Sequence, residues 1–85
     1  MQADLRAQSE HFAYLQQLLA DGVLLMAGRT LTEDESVFGL VLLRAATEQA
    51  ARELMQNDPA VKQGVMTAEL FPYRVALWSE ARRRA

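Results

Sequence analysis

Residues 37–43, VFGLVLL, are apolar from end to end and carry no charge. The run is too short for a stable isolated helix. Its branched and bulky side chains suit a strand covered on both faces. A chain built around it must make a sheet and pack something on that sheet. Gly39, inside the run, predicts a bulge or the close approach of another group.

The flanking sequence supplies the covering layer. From residue 3 to about residue 20, Leu5, Phe12, Leu15 and Leu19 recur at helical spacing, and Leu18 widens the face. Asp21 and Gly22 end this helix, with Gly22 as a left-handed cap. Residues 23–28 (VLLMAG) read as a buried strand, and the polar stretch 29–36 (RTLTEDES) as a turn-like loop. Its acids Glu33, Asp34 and Glu35 lack the spacing and glycine of a calcium loop, so a solvated loop is expected. Thr47 is placed as the N-cap of a second helix whose inner stripe is Ala50, Ala51, Leu54 and Met55. Asp58 and Pro59 read as N-cap and N1 of a short third helix closed by Gly64. Residues 65–70 and 71–77 predict a further strand, interrupted at Pro72 and therefore at an edge. Helices on one face of a largely antiparallel sheet make an α+β domain.

At 85 residues the chain forms one domain, residues 1–85, with a marginal core, and residues 79–85 are expected to be a flexible tail. No cysteine is present, which excludes disulfides and thiolate chemistry. The net charge of -2, with both signs interspersed, argues against nucleic acid; Arg82, Arg83 and Arg84 read as a solvated end. No signal peptide is visible, and no apolar run approaches the roughly 20 residues of a membrane span. The expectation is a soluble, cytoplasmic protein with no membrane contact.

His11 is the single histidine. It stands four and seven residues before Leu15 and Leu18, at the border of the buried face, where it can enter a pocket or merely edge a helix. Histidine ordinarily titrates close to neutral pH, which suits it to moving protons. No motif ties a serine to it, so proton transfer is favoured over acyl transfer. Arg29 follows a strand end directly and can grip a carboxylate or phenolate, or serve as an ordinary surface arginine. Gly28 offers backbone freedom or clearance beside a pocket. Tyr73 and Trp78 can line a ligand cavity or pack a dimer seam. Met26, Met55 and Met66 are expected to fill core gaps. A lone histidine is a poor metal site; no metal and no cofactor are expected.

Several of these pieces together resemble the YCII-related domain proteins. The match runs from His11 through Tyr14, Leu15, Leu18 and Gly22, then Ala27-Gly28, the strand at 37–43, and the DPAVKQG segment from Asp58 to Gly64. It covers roughly residues 8–77. The resemblance implies a ferredoxin-like domain that pairs into a dimeric α+β barrel. It also implies a His–Asp pair, His11 with Asp58, in a pocket; Gly28, Arg29 and Tyr73 are taken as its substrate-binding residues from their own chemistry and position, not from the resemblance. Most members have no assigned reaction; one branch removes chloride from a chlorinated hydroxyhydroquinone. The expected chemistry is acid–base work of isomerase, lyase or dehydrochlorinase type on a small organic compound. The alternative is a non-enzymatic ligand-binding or dimerising accessory domain. Haem-binding relatives need an axial histidine, whereas His11 is taken by the pair.

Two departures stand out. The family's glycine is usually followed by proline, where this chain has Arg29. The family also places a strand before the first helix, and this sequence starts almost directly at the helix. Three explanations are open: a natural start further upstream, a sheet re-paired across a homodimer, or a diverged remnant in an unusual, higher oligomer.

Overall fold

The computed structural model describes residues 2–79. Helix α1 spans Gln2–Ala20, strand β1 Leu24–Arg29, strand β2 Gly39–Leu43, helix α2 Glu48–Gln56 and helix α3 Pro59–Lys62. β1 and β2 form a two-stranded antiparallel sheet, with Gly28 opposite Leu40 and Arg29 opposite Gly39. The chain is thus a small α+β unit.

Local chemistry sets the joints. Gly22 adopts φ 77°, and the Val23 N–H returns to the Leu18 carbonyl at 2.9 Å, which ends α1 and turns the chain into β1. Between the strands, Asp34 accepts from both the backbone N–H and the hydroxyl of Ser36, at 2.9 and 2.5 Å. These bonds hold the Asp34 carboxyl below its ordinary value and make this acidic stretch a turn. The Thr47 hydroxyl accepts from the Ala50 N–H at 3.0 Å and starts α2. Gly64, at φ 74°, closes α3.

The structure corrects the sequence reading in four places. The irregularity in the ladder lies between Leu24 and Met26, not at Gly39. A Cβ on Gly39 would sit 3.4 Å from the Gly28 carbonyl, an ordinary contact. The inner face of α1 runs through Ala7, His11, Tyr14, Leu15 and Leu18, while Leu5, Phe12 and Leu19 face solvent. Both sets have helical spacing, and the position of the sheet and α3 selects between them. Met66 is exposed and fills no core gap, while Met26 and Met55 are half-buried. Finally, residues 66–79 form no strand: a strand needs a ladder partner, and this segment has none among the described residues. Of the tail expected at 79–85, all but Ser79 lies outside the described residues.

The core is small. Among the described residues, the buried apolar side chains are Ala7, Leu18, Leu24 and Ala60. Large apolar side chains lie exposed among the described residues, Leu5, Phe12, Leu31, Phe38 and Phe71 among them. No helix among the described residues is long and apolar enough to cross a membrane.

Candidate functional site

The buried face of α1 meets the junction of α2 and α3, and the polar groups of the chain converge there. His11 stands on the same face as Ala7 and Leu18, one turn from Tyr14. Asp58 ends the connection from α2 and begins α3. Its Oδ1 accepts the Ala60 N–H at 2.9 Å, as an N-cap does. Its Oδ2 lies 2.5 Å from Nδ1 of His11. One carboxylate therefore holds a helix start with one oxygen and an imidazole with the other. Asp58 is buried, whereas the His11 side chain keeps 22% of its surface exposed. With Asp58 ionised and the imidazole neutral, the contact selects the tautomer in which Nδ1–H donates to Oδ2, which leaves the lone pair of the ring on Nε2.

Tyr14 completes the cluster and was not singled out as a site residue from the sequence. Its hydroxyl donates to the Leu54 carbonyl of α2 at 2.7 Å. Burial, and then the negative charge of Asp58, push the phenol above its ordinary value. The signal that could have found it was the three-residue spacing from His11, which places both on one helix face. At the rim, the Gln63 amide donates to Glu10 at 2.8 Å and ties the end of α3 to α1. Among the described residues, no buried side-chain nitrogen or oxygen lacks a partner.

Because the folded value of Tyr14 lies above the unfolded one, the neutral phenol's contribution is complete below pH 10.0. It is lost as pH rises through the folded value. Tyr14→Phe is expected to cost about 1 kcal/mol at neutral pH through the lost hydrogen bond. It should also remove part of the alkaline loss of stability. Urea midpoints on either side of the ordinary phenol value check this; parallel alkaline slopes in both proteins would contradict it.

Gly28 and Arg29 lie elsewhere. They line an open groove of about 370 Å³ over the sheet, with Met26, Thr30, Phe38 and Leu40. Arg29 is exposed and makes no ion pair among the described residues. A Cβ on Gly28 would meet nothing within 4 Å, so neither backbone conformation nor crowding requires glycine there. Tyr73 is three-quarters exposed in the segment after α3 and does not line the groove. The fold thus brings His11 to Asp58, and sets Gly28 and Arg29 in a groove whose lining includes neither member of that pair. No group of three or more His, Cys, Asp or Glu side chains among the described residues could hold a metal ion.

Residues 1–74 match the family model of the YCII-related domain. The chain belongs to the YCII-related domain family. No curated protein and no solved structure matches it. Within this YCII-related chain the matched stretch holds both α1 and the Asp58 cap, and so both halves of the His–Asp contact.

Proposed function

We propose that this YCII-related protein performs acid–base chemistry on a small acidic or phenolic organic compound, with His11 as general base and Asp58 as the group that orients it. The observation that carries this reading is the 2.5 Å contact between Nδ1 and Asp58 Oδ2. It leaves Nε2 basic on a partly exposed ring. In an elimination, Nε2 takes a proton from a substrate carbon, the C–H electron pair becomes the new double bond, and halide leaves with its own pair. In an isomerisation, the same proton returns at a different atom. Asp58 stabilises the imidazolium in both cases. Arg29 is the cation that would meet a carboxylate or phenolate if a ligand bridged the sheet groove and the pair. The working form is a ferredoxin-like homodimer in the manner of the α+β barrel, a reading supported by the large apolar side chains exposed among the described residues, such as Phe12, Phe38 and Phe71.

The test is a screen of chlorinated and hydroxylated aromatic acids for isomerase, lyase and dehalogenating turnover. His11→Gln is expected to lower kcat by roughly 100-fold or more, the usual share of a general base. Equal turnover by wild type and variant would overturn the reading.

A second reading is an accessory domain that binds a ligand without turning it over. It is favoured by the groove at Gly28 and Arg29, which His11 and Asp58 do not line. Binding that is saturable, sensitive to Arg29→Ala and indifferent to His11→Gln would select it.

A further inference from the structure

Three side-chain hydrogen bonds of α1 reach the α2–α3 junction in antiparallel order. Glu10 meets Gln63, His11 meets Asp58 and Tyr14 meets Leu54. The bond from Tyr14 ends on a backbone carbonyl, and the reason that carbonyl is open begins at Pro59. In a continued α-helix the Met55 carbonyl would accept from residue 59 and the Leu54 carbonyl from residue 58. Pro59 has no N–H to give. The Asp58 N–H turns to the Met55 carbonyl instead, at 3.3 Å. Leu54 thereby loses its backbone donor, and a part-buried carbonyl at a helix end needs a replacement. The Tyr14 hydroxyl supplies it at 2.7 Å.

We propose that Tyr14 is the positioning residue of the His11–Asp58 pair: its hydroxyl caps α2 at the Leu54 carbonyl and so ends that helix where the Asp58 carboxylate reaches the ring. The role in turnover rests on the acid–base reading above; the positioning itself does not. Asp58 has left helical geometry, with φ -61° and ψ 126°. In that conformation Oδ1 caps α3 at Ala60 while Oδ2 meets Nδ1 of His11. Without the hydroxyl, the Leu54 carbonyl competes with Met55 for the Asp58 N–H. The backbone at Asp58 is then drawn back toward α2, and the carboxylate moves with it. The phenol also feels the negative charge of Asp58, as a group beside the pair must.

Because His11 is the single histidine, long-range proton–nitrogen NMR on the full chain reads its tautomer without ambiguity. At about pH 9, with the imidazole neutral, the wild type should show Nδ1–H. Tyr14→Phe keeps the ring of the side chain and removes only the hydroxyl; it should lose that tautomer preference. Thr47→Ala removes the cap at the opposite end of the same helix and should keep it. On a substrate found in the screen above, Tyr14→Phe should lower kcat about tenfold at unchanged KM. A phenylalanine variant with the wild-type tautomer would overturn the positioning role and leave His11 as base untouched. Loss of the tautomer in both variants, or loss of helix content by circular dichroism in Tyr14→Phe, would make the hydroxyl a general structural group and overturn it too. Loss confined to Tyr14→Phe, with no turnover in any assay, would uphold the positioning and remove the acid–base reading.

Discussion

Asp58→Ala is expected to cost about 3 kcal/mol, combining a lost helix cap with a lost charge-assisted hydrogen bond. The carboxylate is buried, and its two oxygens serve different elements, the Ala60 N–H of α3 and the His11 ring of α1. Removing it therefore loosens α3 and unties it from α1 together. A chain of 85 residues has roughly 4–13 kcal/mol in all, so the variant should be partly unfolded at physiological temperature if the wild type lies at the low end. Asp58→Asn separates the two roles. Asparagine caps as well as aspartate, so most of the stability should remain. Its amide, however, can donate to Nδ1, which moves the ring proton to Nε2 and removes the base. Turnover should then fall far more than stability. Urea denaturation of both variants is the measurement. An asparagine variant as unstable as the alanine variant would show that the cap is not what Asp58 chiefly contributes.

Leu24→Ala should be comparably damaging, at about 3 kcal/mol, because a large side chain removed from a core leaves both a lost transfer term and a cavity. Leu24 and Leu18 are the only large apolar side chains among the described residues that are buried, and the others of that core are alanines. Leu31→Ala is the matched control: Leu31 is 86% exposed and its loss should change stability by less than about 0.5 kcal/mol. Thermal melts compare the three proteins. Equal melting temperatures for the two variants would mean that the folded chain derives its stability from somewhere other than the α1–β1 contact.

What was legible in the sequence was what neighbouring residues decide among themselves. Thr47 and Asp58 cap helices because a short side-chain oxygen reaches the N–H two or three residues on. Gly22 and Gly64 reverse the chain because they alone carry positive φ among the described residues. The apolar run after Ser36 becomes a strand, although only Gly39–Leu43 of it pairs. The contact of His11 with Asp58 was reached through family resemblance; forty-seven positions of chain separate them, and no local rule spans that distance.

The tertiary structure decided everything that depends on which surface meets which. Helical spacing offered two faces of α1, and only the arrival of the sheet and the α2–α3 junction chose Ala7, His11, Tyr14 and Leu18 over Leu5, Phe12 and Leu19. Tyr14 became part of the site because α2 brings the Leu54 carbonyl to its hydroxyl. Gly28 and Arg29 line a groove over the sheet with Met26, Thr30, Phe38 and Leu40, a lining that includes neither His11 nor Asp58. Residues 66–79 have strand composition and no strand, since a side-chain pattern specifies a face but hydrogen bonds must come from a neighbouring backbone. Local chemistry therefore determined the elements and their ends, while the packing of distant segments determined the site.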